Sequence, residues 1–315
     1  MPRSPNLVGH WFAKNLLKTS ERKLIRVQIP PWAHFMKFKE LGKTKEKIPV
    51  IGMGAWEIED TVEQVKALKT GLKMGARFID TAEYYDTEHI VAKAVQNEKD
   101  VFIATKITPN HFSYGNVIKA CDTSLKKLGV KTIDLYQLHW PNPLIPIKET
   151  MRAMEHLVEA GKIRYIGISN FSVKRMKEAQ EALKNNEIVS NQVLYNPLAR
   201  EVEKDLIPFC EKEKITVIAY SPLDRGSILK RNPEIMKVIN DIADKHNKTS
   251  IQVTLNWLCS RKSVVAIPKA STVAHTKENV ESVEWNLKED EIKRIDNADS
   301  GFSYPNWGKT ILTKL

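Results

Sequence analysis

Short apolar runs alternate with longer amphipathic segments from about residue 48 onward. The apolar runs, such as VFIAT and TVIAY, are almost continuous, which is typical of parallel strands buried on both faces. The longer segments carry apolar residues at helical spacing, and several begin at plausible N-caps, as at Ser172, Thr249 and Thr272. This alternation predicts an α/β protein with eight strands and eight helices, which is a single (β/α)8 TIM barrel.

The helix boundaries follow from the same pattern. The predicted helices cover Thr61–Met74, Glu88–Asn97, Asn116–Leu128, Ile147–Ala160, Ser172–Asn185, Glu203–Glu213, Thr249–Ser260 and Thr272–Glu281. Two extra helical pieces are expected, one after Pro233 and the other at Glu289–Asp296. An N-terminal β-hairpin formed by MKFKEL and KIPVI is expected to close the bottom of the barrel. A doubly wound sheet is disfavoured because no GxGxxG motif joins an early strand to a helix.

Polar residues stand at the ends of the predicted strands. Since the carboxyl ends of the strands share one face of a parallel barrel, we expect these side chains to meet in one pocket. The residues concerned are Asp80, Lys106, His139, Ser169, Asn170, Gln192, Tyr220 and Lys269.

Composition narrows the class of protein. The net charge of +11 comes partly from residues 1–35, which hold six Lys/Arg against one acidic residue, and the other lysines are spread over Glu-rich helices. We therefore expect no nucleic-acid partner, because no basic run is interleaved with aromatics. No apolar run is long enough for a membrane helix. Three separated cysteines without a CxxC pair suit a reducing, cytoplasmic location.

Residues 1–35 form a basic extension that lacks the strand–helix rhythm. They contain no apolar stretch of the kind found in secretory signals, although a transit-type peptide remains an alternative. We favour translation from Met36, with 1–35 an upstream artefact or a floppy tail, and place the barrel domain at 36–315.

Seven motifs in register resemble the aldo-keto reductase family. They are IDTAEYYDTE, ATK, DLYQLHWP, YIGISNF, NQVLYNP, AYSPL and IPKAS, and the similarity runs from about residue 36 to about 300. Within this family, the chain most resembles short prokaryotic members similar to diketogluconate and small-aldehyde reductases. This resemblance implies NAD(P)H-dependent reduction of aldehydes and ketones to alcohols.

The resemblance also assigns catalytic roles to Tyr85, Lys106, Asp80 and His139. Tyr85 would donate the proton, and the Lys106 ammonium, held by Asp80, would lower the pKa of the phenol from its usual value of about 10. His139 would be a neutral hydrogen-bond donor that orients the substrate. Tyr84 is the competing neighbour, but the motif selects Tyr85.

Further residues match the family's cofactor contacts. The expected contacts are Ser169, Asn170, Gln192, Tyr220, Ser221, Leu223, Lys269, Ser271, His275, Glu278 and Asn279. NADPH is favoured and NADH is possible, because His275 stands where NADP-preferring members usually have arginine, and histidine is a weaker, pH-dependent anion partner. Asp224 replaces the usual glycine, which puts the shape of the loop in doubt.

The substrate mouth is expected to include Trp56, His139 and Trp140, with Trp307 as an equal candidate for a packing anchor. Asp86, in place of the family's glycine, adds a negative charge that we expect to disfavour acidic substrates.

Two other readings stay open. A nicotinamide-binding regulatory module of the same superfamily would bind the cofactor with little or no turnover, and a cofactor-free barrel isomerase or lyase would bind none. No metal site is expected, because the chain lacks clustered Asp/Glu/His ligands. The protein is expected to act as a monomer on a small carbonyl compound.

Overall fold

A closed barrel of parallel strands forms the body of the protein. The computed structural model describes residues 35–226 and 232–298. The barrel strands are β3 (Met53–Gly54), β4 (Phe78–Asp80), β5 (Phe102–Ile107), β6 (Ile133–Leu138), β7 (Ile163–Ser169), β8 (Ile188–Leu194), β9 (Thr216–Tyr220) and β10 (Val264–Ala266). Each strand pairs in parallel with the next along the chain. A parallel bridge from Ile51 to Ala266 joins the last strand to the first.

Helices connect the strands on the outside of the barrel. Within the described residues they are α1 (Val62–Lys73), α2 (Glu88–Val95), α3 (Tyr114–Leu128), α4 (Ile147–Glu159), α5 (Val173–Glu181), α6 (Leu206–Glu213), α7 (Pro233–His246), α8 (Ser250–Ser260), α9 (Val273–Glu281) and α10 (Glu289–Asn297). α7 and α10 are the two extra helices. The predicted (β/α)8 fold is therefore confirmed.

The three predicted N-caps form as the sequence indicates. The side chains of Ser172, Thr249 and Thr272 each accept a hydrogen bond from a backbone amide three residues ahead. At Thr249 the amide belongs to Gln252, whose side chain accepts in return from the Thr249 N–H, which completes a capping box.

The N-terminal hairpin covers the bottom of the barrel. β1 (Phe38–Glu40) and β2 (Lys47–Pro49) pair antiparallel. Leu41 and Ile48 are fully buried and belong to one apolar cluster with residues from the first halves of the barrel strands. These are Phe78, Phe102, Ala104, Leu135, Val189, Ile218 and Val265. The start of the barrel is thus filled with apolar side chains, and the polar strand ends lie at the other end.

Close backbone approach closes the top of the barrel between β3 and β10. The Gly54 N–H donates to the Pro268 carbonyl at 3.0 Å. A Cβ atom on Gly54 would lie 2.8 Å from the Ile267 carbonyl oxygen, so this position requires glycine.

Two predictions about the chain ends lie outside the described residues. These are the basic extension at 1–35, of which Phe35 alone is described, and the packing or substrate role of Trp307. The three cysteines are free thiols, and Cys121 and Cys210 are buried. Among the residues described, no helix is both long and apolar enough to cross a membrane.

Candidate active site

Asp80 and Lys106 form a buried ion pair at the carboxyl ends of β4 and β5. Asp80 is 2 % exposed and Lys106 is fully buried. The Lys106 ammonium donates to Asp80 Oδ1 at 2.5 Å, to the Thr81 carbonyl at 2.8 Å and to the Tyr85 hydroxyl at 3.4 Å. A charged lysine has three donors, and all three are used here. Burial lowers the pKa of Lys106, and the Asp80 carboxylate acts in the opposite direction because it favours the charged amine.

Two glutamine amides hold the second oxygen of Asp80. Gln192 donates to Asp80 Oδ2 at 2.8 Å and Gln137 donates to the same atom at 3.0 Å. Gln192, expected among the cofactor contacts, therefore also holds the Asp80 carboxylate. The sequence analysis missed Gln137, although it lies two residues before His139 and so shares its face of β6.

Tyr85 lies in a 3-10 turn, Glu83–Tyr85, that is tied to the loop after β5. The Glu83 carboxylate accepts from the Thr108 amide at 3.0 Å and from its hydroxyl at 3.1 Å. Its other oxygen pairs with His111 Nδ1 at 2.7 Å. Since that loop directly follows Lys106, these contacts fix the tyrosine-bearing turn relative to the lysine.

Glu88 ties the other side of the same segment to β5. Its buried carboxylate accepts from the Thr105 hydroxyl at 2.7 Å, one residue before Lys106. Burial raises the pKa of Glu88, and the hydrogen bond from Thr105 acts in the opposite direction. Glu88 is the last letter of the family's motif, yet the sequence indicated no role for it.

His139 completes the group beside Tyr85. Its Nε2 lies 3.4 Å from the Tyr85 hydroxyl. Burial, helped by the Lys106 charge, lowers the pKa of His139 to about 2, so the imidazole is neutral as expected. Nδ1 is buried and has no partner among the described residues. An unpartnered N–H is costlier to bury than a lone pair, which favours the tautomer with the proton on Nε2.

The expected lowering of the Tyr85 pKa is wrong. Burial raises the pKa of the Tyr85 phenol well above its usual value, and the negative charge of Asp80 raises it further. These two effects outweigh the stabilisation that the Lys106 ammonium gives the phenolate, because that ammonium is paired with Asp80 at 2.5 Å and lies 3.4 Å from the phenol oxygen. The phenol is therefore fully protonated at neutral pH and is available as a donor.

Ser169, Asn170 and Tyr220 lie together next to His139. Asn170 Nδ2 donates to the His139 carbonyl at 3.1 Å and to Ser169 Oγ at 3.0 Å. The Tyr220 hydroxyl donates to Asn170 Oδ1 at 3.1 Å, which anchors one end of its ring. Asn170 has a left-handed φ of 62°, which asparagine tolerates better than most residues. Amide and hydroxyl groups held beside an anchored ring fit a flat amide-bearing ring, but these cofactor roles stay predictions.

The predicted phosphate contacts lie at the start of α9. Lys269 and His275 are exposed, and Ser271 is half-buried. In the described part of the chain Lys269 forms no ion pair, so a cation next to a helix N-terminus is available for an anion. Glu278 is half-buried and Asn279 is buried further along the helix. This arrangement fits a phosphate-bearing cofactor.

The loop after β9 keeps a glycine-like backbone despite its substitution. Asp224 has a φ of 46°, so it adopts the left-handed conformation that glycine would favour. Ser221 and Arg225 are left-handed too, at 47° and 56°. Turn hydrogen bonds from Asp224 N–H to the Ser221 carbonyl and from Gly226 N–H to the Leu223 carbonyl keep the loop compact.

Aromatic side chains surround the mouth above His139. Trp140 stacks on His139 with ring centroids 3.6 Å apart. Tyr84 is 68 % exposed and meets Trp140 edge-on at 5.9 Å, so it lies at the mouth without touching Lys106. Trp56 is half-buried, and the guanidinium carbon of Arg225 lies 4.2 Å from its ring centroid. The sequence analysis missed this cation–π contact.

Asp86 does not bring an uncompensated charge to the mouth. Its carboxylate accepts from the Lys127 ammonium at 2.8 Å and is largely exposed. This hydrogen bond lowers the pKa of Asp86. The ion pair removes the basis for expecting Asp86 to repel acidic substrates.

Known proteins are similar to this chain over most of their length. The Aldo/keto reductase family matches residues 50–300. Methylglyoxal reductase YeaE of Escherichia coli is 37 % identical over 273 residues, which cover 84 % of this chain and 94 % of the relative. Glyoxal reductase of Bacillus subtilis is 34 % identical and covers 79 % of this chain and 88 % of its own.

A solved structure supports the same assignment. The aldo-keto reductase from Klebsiella pneumoniae in complex with NADPH superposes with a TM-score of 0.78 at 32 % identity, covering 83 % of this chain and 94 % of that one. Together with the barrel and the strand-end residues, these matches show that the chain belongs to the aldo/keto reductase family and is an NADP-dependent oxidoreductase that reduces aldehydes and ketones.

Proposed function

We propose that this enzyme reduces small 2-oxoaldehydes such as methylglyoxal, with Tyr85 as the proton donor. When bound beside Ser169, Asn170 and Tyr220, NADPH would supply the hydride for the carbonyl carbon, and Tyr85 would give its proton to the carbonyl oxygen. The substrate class follows from the methylglyoxal and glyoxal reductases to which the chain is similar. The tryptophans at the mouth also suit a small substrate with apolar surface.

The hydrogen bonds around the Tyr85 oxygen carry this proposal. Lys106 donates to that oxygen, and in the favoured tautomer His139 Nε2–H donates to it as well. The phenol hydrogen is then free to be given to a substrate oxygen. Once it leaves, the nearby ammonium stabilises the phenolate, and the imidazole can donate to the substrate oxygen.

The two adjacent tyrosines provide the test. Tyr85→Phe removes the hydroxyl while keeping the ring, and we expect kcat/KM for methylglyoxal to fall by about 10²–10⁴, the usual range for general acid catalysis. Tyr84→Phe is the matched control and should stay within about twofold, because an exposed hydroxyl away from Lys106 has no such role. NADPH consumption at 340 nm measures both, and loss of activity in Tyr84→Phe with retention in Tyr85→Phe would overturn the assignment.

Binding measurements distinguish the proposed reductase from a regulatory module that binds the cofactor without turnover. Quenching of tryptophan fluorescence reports NADPH binding by the wild type and by both variants. We expect the wild type to bind and consume NADPH with aldehydes, and Tyr85→Phe to bind without consuming it. Binding without consumption by the wild type, across a panel of aldehydes, would favour the regulatory module instead.

We also propose that the protein is a cytoplasmic monomer without a nucleic-acid partner. Three free cysteines, two of them buried, suit a reducing compartment, and the surface lysines are dispersed among acidic residues. Light scattering after gel filtration would give the mass of one chain, and a dimer mass would contradict the proposal.

A further inference from the structure

Glu63 of α1 reaches across to the N-terminus of α9. Its Oε1 accepts a hydrogen bond from the Val273 amide at 3.3 Å. Val273 is the first residue of α9, directly after the N-cap Thr272. A carboxylate thus lies on the helix end that would bind an anion.

Most of the backbone amides at this helix end already donate hydrogen bonds within the protein. Val273 N–H donates to Glu63, and His275 N–H donates to the Thr272 side chain. An incoming phosphate would have to displace the carboxylate to reach the first amide. It would then lie next to that negative charge.

Among the described residues, the Glu63 carboxylate has no ion-pair partner. Glu63 is exposed, and it forms no ion pair with any lysine or arginine of the described segments. Asp60, three residues earlier, is different because Lys93 donates to it at 2.5 Å. This carboxylate therefore faces the same helix end as Lys269 and His275, two of the predicted phosphate contacts.

We infer that Glu63 sets the cofactor preference by weakening binding of the 2′-phosphate of NADPH and accepting a hydrogen bond from the 2′-hydroxyl of NADH. The inference rests on the proposed cofactor site at α9. A phosphate dianion is repelled by a carboxylate, whereas a hydroxyl can donate to one. Glu63 thereby offsets the attraction of Lys269, and the enzyme uses both cofactors.

Two adenosine nucleotides test the inference without any turnover. Adenosine 2′,5′-bisphosphate carries the 2′-phosphate, and 5′-ADP carries the free 2′-hydroxyl. Glu63→Gln should tighten binding of the bisphosphate by about two- to fivefold, the range for one exposed charge interaction, and should not tighten binding of 5′-ADP. Isothermal titration calorimetry gives both dissociation constants.

Asp60→Asn is the matched control. It removes one negative charge from the same end of α1, but Asp60 pairs with Lys93 rather than with α9. We expect the ratio of the two dissociation constants to stay unchanged in this variant. An equal change in the two single variants would indicate a general charge effect and would overturn the inference.

Activity separates this inference from the proposed function. If the wild type reduces methylglyoxal and binds the bisphosphate, but Glu63→Gln leaves the ratio of dissociation constants unchanged, the specificity role alone is wrong. If the ratio shifts as expected, the role of Glu63 is supported even where methylglyoxal is not reduced, because binding is measured without a carbonyl substrate.

Discussion

The two halves of the candidate active site differ in how far they are assembled by the protein itself. On the β4–β6 side, Asp80 and Lys106 are buried and every donor of the lysine is used. On the β9–α9 side, Lys269 and His275 are exposed, and the loop at 221–226 holds three non-glycine residues in left-handed conformations. The half proposed to be catalytic is preorganised, whereas the half proposed to bind the cofactor has exposed cations near a helix end whose first amide is already hydrogen-bonded.

This difference indicates which property each half controls. Groups held by several buried hydrogen bonds determine the rate of the chemical step and also contribute to folding stability. Exposed charges on a loop and a helix end affect the affinity for a charged ligand and add little to stability. Substitutions on the β4–β6 side should therefore lower the catalytic rate and the folding stability. Substitutions on the β9–α9 side should change the affinity for the cofactor and leave stability nearly unchanged.

Substituting the buried lysine should give the largest loss of stability and of activity. Lys106→Met leaves the Asp80 carboxylate unpaired in the core, and breaking one partner of a buried pair costs about 3–5 kcal/mol of unfolding free energy. Activity should fall to background, because the phenolate of Tyr85 loses its stabilising ammonium. Urea denaturation and NADPH consumption measure the two effects.

An exposed pair is the control for this loss. Lys127→Met breaks the exposed contact with Asp86, and we expect the free energy of unfolding to change far less than in Lys106→Met. The double variant Asp80→Asn with Lys106→Met removes both buried charges and should recover much of the stability, but not the activity. Recovery of both properties would mean that the pair is structural alone.

His139 should make the stability of the catalytic half depend on pH. Its folded pKa of about 2 lies below the ordinary histidine value of 6.5, so the unfolded state binds more protons between these pH values. The stability that comes from keeping this imidazole neutral is present above pH 6.5 and is lost as the pH falls towards 2. The slope is about 1.4 kcal/mol per pH unit at most.

The measurement is the unfolding free energy from pH 7 to pH 5 for the wild type and for His139→Gln. The variant should show a shallower fall, because it lacks the proton uptake on unfolding. In the wild type, kcat/KM should show no step near pH 6.5. Equal slopes in the two proteins would contradict the assignment of a neutral buried imidazole.

The smallest effect is expected on the cofactor side. Lys269→Met removes an exposed cation, so the KM for NADPH should rise by about fivefold, or about 1 kcal/mol, with kcat and stability unchanged. Lys277→Met, an exposed lysine farther along α9, should change none of these. A large loss of stability in Lys269→Met would show that the two halves are not different in this respect.

The hydrophobic pattern was sufficient to predict the fold, because strands buried on both faces and capped helices leave strong local signals. The residues at which helices end were harder to predict. The predicted helix Ser172–Asn185 ends at Glu181 because the Glu155 carboxylate of α4 accepts from the amides of Lys184 and Asn185. A contact with another helix determines this boundary, and no local pattern contains it.

The candidate site was likewise predictable from the sequence only in part. Asp80, Lys106 and His139 could be placed together because parallel strand ends must meet. The pKa of Tyr85 could not be predicted, since it depends on depth of burial and on the ion pair that uses the Lys106 charge. Gln137 and Glu83 were missed because their roles arise from side-chain contacts with residues distant in sequence.

The guanidinium of Arg225 covers one face of the Trp56 ring. That face of the ring is therefore closed to a prochiral ketone in the proposed substrate mouth. The two larger substituents of the ketone then meet different surroundings before any bond changes. The enzyme should therefore produce one alcohol enantiomer in excess, with the arginine loop as the source of the handedness.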